Sequence, residues 1–287
     1  MDTVYHYCSA DTFINIIKHK KLWLSDIEHM NDFKEMKWFL EVFEEIISDE
    51  LNEDEYKRIH KDVLDNLDIT RGYMCCLSED GDILSQWRGY AQDGQGISIG
   101  FYPEKLGVNY NRMMFQNKFI KNSFFLNKVH YFSKNEIREI IIKALNSNEV
   151  INDFYSSKDR DFGKIDNSIK EQIVGLISGI LHMCIHTKSP SFAEEKEVRL
   201  VYNNMPTMHN LQDKENKEFK SFLASKNYRI SNQNLCSYYE FSLPINSIKE
   251  VILGPKNRFN ETDIKDFLQI NKIHHNVTIK RSEASYR

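Results

Sequence analysis

Glycine and proline are scarce in this chain of 287 residues, at 11 and 5. That scarcity excludes a low-complexity or disordered polypeptide. Cysteine is sparse and odd in number: Cys8, Cys75, Cys76, Cys184 and Cys236. None is spaced as C-x-x-C, and the adjacent Cys75 and Cys76 would face opposite sides of a strand. Neither a disulfide framework nor a zinc ribbon is expected, and the thiols read as reduced and mostly buried. There is no P-loop and no Rossmann glycine fingerprint. No apolar run follows Met1, and no stretch reads as the roughly 20 apolar residues of a membrane span. The expectation is a cytoplasmic protein with no membrane partner. Charge of one sign is also lacking. With 38 basic and 42 acidic residues the formal net charge is -4, so no global field draws polynucleotides, although a local basic groove stays open.

What the chain does have is apolar and aromatic material. It is 41% hydrophobic, with 18 Phe and 14 Tyr, enough for a large core in a single domain over residues 1–287. Val4 to Cys8 reads as a strand. A helix capped by Ser9 or Asp11 follows, with Phe13, Ile14, Ile16 and Ile17 on its apolar face. Leu22-Trp23-Leu24 is a second short strand. A long amphipathic helix carries Met36, Phe39, Leu40, Phe43, Ile46 and Ile47, and 53–68 reads as a more charged one. Strands are expected at Tyr73–Ser78, Ile97–Tyr102, Lys128–Phe132, Glu195–Tyr202, Tyr238–Leu243, Ile248–Leu253 and Val277–Arg281. Short helices are expected at 82–91 and about 260–270. The segment 206–235 is polar and unassigned. Helices at about 134–147 and 166–187 read as a helical insertion over about 134–187. Strands and helices mix without regular alternation, so the expected class is α+β, with mixed or antiparallel sheets around a cleft.

Short polar motifs punctuate these elements: Tyr5-His6-Tyr7, Asn31-Asp32, Ser85-Gln86-Trp87-Arg88-Gly89-Tyr90 and Glu195-Lys196-Glu197-Val198-Arg199. In an extended strand Glu195, Glu197 and Arg199 share one face. Two adjacent carboxylates repel unless a cation, ligand or shared proton compensates. They form either a site or a salt-bridged strand face. Trp87 and Tyr90, three apart on a helix, stand on one side of it. They form either core or one wall of a cleft, and Arg88 points elsewhere on the turn. His6 is either a half-buried strand residue or a ligand, and Asn31-Asp32 either caps the long helix or belongs to a site. His182 and His186, four apart with Cys184 between them, read as a helix-surface pair rather than a zinc site, and no metal is expected.

The ordered set resembles a large bacterial family of unknown function, DUF2971. The residues that carry the likeness are Tyr5-His6-Tyr7, Leu22-Trp23-Leu24-Ser25, Asn31-Asp32, Cys76-Leu77-Ser78, Trp87 to Tyr90, Gly96 to Phe101, Glu195 to Arg199 and Val251 to Pro255. The opening Tyr-His-Tyr strand, the Ile16-Ile17 helix and Lys20-Lys21-Leu22-Trp23 also look like the start of ADP-ribosyltransferase toxins, although no Ser-Thr-Ser motif is present. That second resemblance implies an ADP-ribosyltransferase-like fold and NAD as substrate. It implies Glu197 as the carboxylate that stabilises the ribosyl cation, and Glu195 as the residue that orients or deprotonates the acceptor. His6 would bond a ribose or phosphate oxygen. Trp87, Tyr90 or Tyr7 would stack on nicotinamide, and Arg88 or Arg199 would hold the pyrophosphate. A nucleic acid or protein acceptor, a defence-system partner protein and a toxin or anti-phage role follow from the same likeness. Two alternatives stand beside it. One is a magnesium-dependent nuclease built on Glu194-Glu195-Lys196 with upstream Asp80 and Asp82. The other is a non-catalytic nucleotide- or partner-binding module.

Overall fold

The computed structural model describes residues 2–27, 33–69, 72–111, 124–146, 153, 155–157, 166–203, 226–231, 233–274 and 276–286. The Asn31-Asp32 motif and the stretch 206–225 lie outside the described residues.

The chain opens with strand β1 (Val4–Cys8) and helix α1 (Ala10–His19). Ser9 caps that helix, its hydroxyl accepting the Thr12 amide at 3.0 Å, and satisfies a donor that the first turn leaves unpaired. Lys20, left-handed at φ 53, ends it. The reversal delivers strand β2 (Lys21–Asp26). Helices α2 (Phe33–Glu50) and α3 (Glu53–Ile69) follow, then β3 (Gly72–Ser78), α4 (Leu84–Tyr90) and β4 (Ile97–Phe101). The middle of the chain gives β5 (Asn109–Tyr110), β6 (Phe124–Lys128), β7 (His130–Tyr131), α5 (Lys134–Asn146) and α6 (Asn167–His186). The last part holds β8 (Thr187–Lys188), β9 (Glu197–Asn203), β10 (Asn227–Ser231), β11 (Asn234–Ser242), β12 (Ile248–Leu253), α7 (Glu261–Ile270) and β13 (Thr278–Arg281).

The class is α+β, with a separate parallel pair, β7–β8, and a mixed, curled sheet of 11 strands among the described residues. Its path runs β10-β11-β2-β3-β1-β4-β12-β13, and β9, β6 and β5 extend it from the other edge of β3. Most pairs are antiparallel; β12–β13 and β5–β6 are parallel. The central strand is β3. Along one edge it pairs with β9 over its whole length, from Gly72↔Asn203 to Ser78↔Glu197. Along the other edge it is shared. β2 takes its first half (Ser25↔Met74, Asp26↔Tyr73), and β1 takes only its end (Tyr5↔Ser78). Between them, at Cys75 to Leu77, the two strands diverge and the sheet splits.

The main core lies on the sheet face covered by α1 and α7, where Phe13, Ile17, Ile264 and Leu268 meet Leu24, Cys75, Ile99, Leu200 and Phe241. On the opposite face Met74, Phe125 and Val201 pack on Ile185 of α6. Helices α2, α3, α5 and α6 share an apolar cluster of their own around Phe39, Phe43, Ile46, Val63, Ile141 and Ile173. The helices expected at 134–147 and 166–187 are thus present, and they pack on α2 and α3. By length and composition α6 is apolar enough to cross a membrane, contrary to the sequence reading. Its Ile173, Leu181 and Cys184 are buried against protein.

Three strand boundaries differ from expectation. β9 begins at Glu197 because Pro190–Glu195 forms a 3-10 turn that Lys196 closes in the left-handed region at φ 47. Glu195 is therefore off the strand, and the expected three-residue alternation does not hold. The strand expected over Lys128–Phe132 is broken into the end of β6 and the two-residue β7. The unassigned region contributes β10 and the start of β11, a hairpin paired from Asn227↔Tyr238 to Ser231↔Asn234.

Gly96 sits where β4 enters beside β1. A Cβ there would come within 2.2 Å of the Cys8 carbonyl oxygen and 2.8 Å of the Ala91 carbonyl oxygen. Backbone atoms cannot step aside as a flexible side chain can. Gly96→Ala is expected to lower stability by about 1–3 kcal/mol or more, read as a fall in Tm. A melting curve superimposable on wild type would show that β1 and β4 do not approach this closely.

Candidate functional site

The split in the sheet opens a cavity of about 670 Å³, in the upper half of the ~300–1,000 Å³ range of ligand pockets. Strand alternation explains its two sides. Met74, Cys76 and Ser78 share one face of β3, and register puts Glu197 and Arg199 of β9 on that face. Cys75 and Leu77 share the other, with His6. From β1 the cavity receives Tyr5, His6 and Tyr7; from β3, Met74 to Leu77. From α4 come Gln86 and Tyr90, and from the 3-10 turn and β9 come Glu195 and Glu197. Helix α1 supplies Thr12, Asn15, Ile16 and His19, and the outer strands supply Lys21, Trp23, Ser25, Arg229 and Glu240.

The acidic wall is built around four buried or nearly buried ions. Arg199 is fully buried. Its Nε and Nη2 donate to the two oxygens of Glu197 at 2.7 and 3.2 Å, and its Nη1 donates to the Ile185 carbonyl. Lys188 is also fully buried and lies 2.9 Å from Glu197 and 2.7 Å from Glu195. Its Nζ also faces the Phe192 ring, 5.3 Å from the centroid. Two cations and two carboxylates therefore balance. Burial by itself would raise the carboxyl pKa of Glu197. Arg199, Lys188 and the Cys76 thiol hydrogen bond outweigh it and hold the group at about 2, well below its ordinary 4.5. The backbone of this turn is also fixed. Ser78 Oγ donates to the Glu195 carbonyl at 2.7 Å, and the Glu197 amide donates to the Tyr131 hydroxyl at 2.7 Å.

His6 lies at the split, its Nδ1 3.3 Å from the Cys76 carbonyl oxygen and 3.6 Å from Cys75 Sγ. Enclosure disfavours the imidazolium and lowers its pKa, with the Cys76 carbonyl opposing, so the ring is mainly neutral at pH 7. Tyr7 is an anchor as well as a wall. Its hydroxyl donates to the Asp80 carbonyl at 2.9 Å and accepts the Ile83 amide at 2.8 Å, which ties β1 to the loop that launches α4. Tyr90 stands 42% exposed at the rim.

Four expected roles are corrected. Trp87 is fully buried and does not line the cavity. Its ring packs edge-on against Tyr7 at 4.9 Å, and its Nε1 donates to Asp82 at 2.6 Å, so it is core that backs the wall. Arg88 points outward to the Tyr286 ring, 5.9 Å from its centroid, as its place on the helical turn requires. Arg199 faces Glu197 and Ile185 and does not line the cavity, so it does not meet a pyrophosphate there. His182 and His186 are interior rather than surface. Their rings stack at 4.3 Å, and His186 Nδ1 lies 3.0 Å from the His182 carbonyl oxygen. Burial, with repulsion from His130, lowers His182 to about 4; burial and His182 lower His186 well below its ordinary value.

The nuclease arrangement is also redistributed. Lys196, off the cavity, pairs with Asp80 at 2.8 Å. Among the described residues, no three His, Cys, Asp or Glu side chains converge in a way suited to a metal ion. Sequence reasoning missed Lys188, Lys21, Trp23 and Arg229 as parts of the site. Lys21-x-Trp23-x-Ser25 carried a usable signal, a period of two on a short strand. Lys188 carried none, because its role depends on where α6 ends.

The family described as protein of unknown function (DUF2971) matches residues 86–200. That span holds Gln86, Tyr90, Lys188, Glu195, Glu197 and Arg199, and the chain resembles the family over it. No curated protein matches the chain. No solved structure matches it either, and the resemblance to ADP-ribosyltransferase toxins draws no support from these comparisons.

Two outcomes test the ion cluster. Lys188→Met leaves Glu195 and Glu197 without their shared cation and is expected to cost about 3–5 kcal/mol in denaturant unfolding; a loss under about 1 kcal/mol would mean the pair behaves as a surface contact. The second is acid dependence. The folded pKa of Glu197 lies below the unfolded one, so its contribution is complete above about 4.5 and disappears as pH falls toward about 2. The wild-type minus Glu197→Gln stability difference should therefore shrink across that window. A flat difference would overturn the assignment.

Proposed function

We propose that the protein is an ADP-ribosyltransferase-like enzyme that takes NAD into this cavity and transfers its ADP-ribose to a macromolecule, nucleic acid or protein. The observation that carries the reading is the meeting of His6, Tyr7 and Tyr90 with Glu195 and Glu197 around one cavity of about 670 Å³. The residues derive from three distant stretches of sequence. In the reaction the bond between ribose C1′ and the nicotinamide nitrogen breaks, and nicotinamide leaves with the electron pair. The acceptor nucleophile then bonds to C1′ and releases its proton. Glu197 is held anionic at the wall, where a developing ribosyl cation would be stabilised electrostatically. Glu195 is the more open of the two carboxylates and is suited to receive the acceptor's proton. Neutral His6 can donate to or accept from a ribose oxygen. A toxin or anti-phage role belongs to the same proposal.

A second reading, a nucleotide-binding module without turnover, is favoured by one specific observation. Lys188 and Arg199 already balance the two carboxylates, which weakens their field at a bound cation.

Nicotinamide release from NAD, with and without DNA, RNA or cell extract, separates the two. On the first reading wild type releases nicotinamide, and Glu195→Gln, assayed well below its own melting temperature because Lys188 loses one carboxylate partner, reduces the rate roughly a hundredfold. Saturable binding of NAD with no release under any acceptor condition would leave the second reading in place of the first.

A further inference from the structure

The cavity has a second end whose chemistry differs from the acidic wall. Along β2, Lys21, Trp23 and Ser25 alternate onto one face, and all three line the cavity. The register Trp23↔Glu240 brings Glu240 of β11 beside the indole. Arg229 of β10 reaches over the same strip, its guanidinium carbon 5.4 Å from the Trp23 ring centroid. Its Nη2 donates to Ser25 Oγ at 2.8 Å. Its Nε is buried with no hydrogen-bond partner among the described residues. A guanidinium donor removed from water and left unpaired is unfavourable unless a ligand meets it. Lys21 Nζ is tied to the Ser242 hydroxyl at 2.7 Å, and among the described residues neither Lys21 nor Arg229 pairs with a carboxylate. Trp23 remains 45% exposed, unusually open for so large an apolar ring, with Tyr238 packed on it at 4.4 Å.

We propose that this end binds the phosphate-bearing part of a nucleoside phosphate. The Arg229 guanidinium and Lys21 meet the phosphate oxygens, Trp23 offers its ring to the base, and Glu240 accepts from the ribose hydroxyls. The assignment deepens the reading above and rests on its premise that the cavity is the ligand site, but not on any turnover. It also places the phosphate ligation on Arg229 rather than on Arg88 or Arg199. Two cations against the single carboxylate of Glu240 leave this end net positive. A planar guanidinium fork beside an indole suits a charged oxygen joined to an aromatic ring, and an uncharged nucleoside satisfies only the second requirement.

The test is calorimetric titration of the full chain with ADP and with adenosine. Wild type should prefer ADP by roughly tenfold to a hundredfold, the range of a charge-assisted hydrogen bond. Arg229→Gln should cut that preference severalfold to what Lys21 alone supports, Arg229→Lys should keep more of it, and Arg88→Gln should leave it intact. On wild type alone, ADP affinity should fall with added salt while adenosine affinity stays level. This second measurement holds even where a variant fails to fold. No preference for ADP in wild type, or a preference undiminished in folded Arg229→Gln, would overturn the proposal. ADP binding that depends on Arg229, together with no nicotinamide release from NAD, would keep this subsite and remove the transferase reading.

Discussion

The ion pair between Arg199 and Glu197, closed by Lys188, is the constraint on which the rest of the site depends. A guanidinium and an ammonium with no exposure to solvent must be matched by charge, or the fold would not tolerate them. Matching them fixes four places at once: the end of α6 through the Ile185 carbonyl, β8 through Lys188, the 3-10 turn through Glu195, and the first residue of β9. The left-handed Lys196 and the Ser78 bond to the Glu195 carbonyl follow as the backbone consequences. The result is a rigid wall beside an opening in the sheet.

That opening has a topological origin. β1 and β2 are joined by α1 and pair with different stretches of the same edge of β3. A short helix returning on its own sheet brings β2 to the first half of β3 and leaves β1 at the end. The middle of β3 then faces a gap instead of a neighbour. The Lys21–Ser25 end lies on regular strands, so side chains there are held by pleat and register, whereas at the other end Glu195 is held by the 3-10 turn and Tyr90 by α4.

Much of this was legible in the sequence, and the failures have physical reasons. The α+β class, the order of most strands and the capped first helix follow from periodicity and Ser9. His6, Tyr7, Tyr90, Glu195 and Glu197 were singled out from short motifs, and they line one cavity. Trp87 reads from sequence as either core or cleft wall, because helical spacing tells which residues share a side, but not whether that side meets solvent or β1; it is core. Arg199 was assigned a ligand role because sequence shows charge without showing its partner. Lys188 and Arg229 were invisible for a related reason. Arg229 acquires meaning only through its contact with distant β2, and Lys188 only through the turn that brings Glu195 and Glu197 back to it, and no local pattern encodes either contact. Glu195 was placed on the strand because a pattern of alternating charges looks the same with or without a left-handed residue between them.

The cavity draws on Tyr5 near one end of the sequence and on Glu240 near the other. Ribosomal synthesis delivers those residues far apart in time. Between Tyr90 and Glu240 alone the interval is on the order of ten to thirty seconds at ~5–20 residues per second. The pairing of β2 with β11 cannot form before then, because β11 has not been made. A growing chain carries the acidic wall only a few seconds before it carries Arg229, at ~5–20 residues per second. The cavity is therefore enclosed on all its sides only after β11 has been made and has paired with β2.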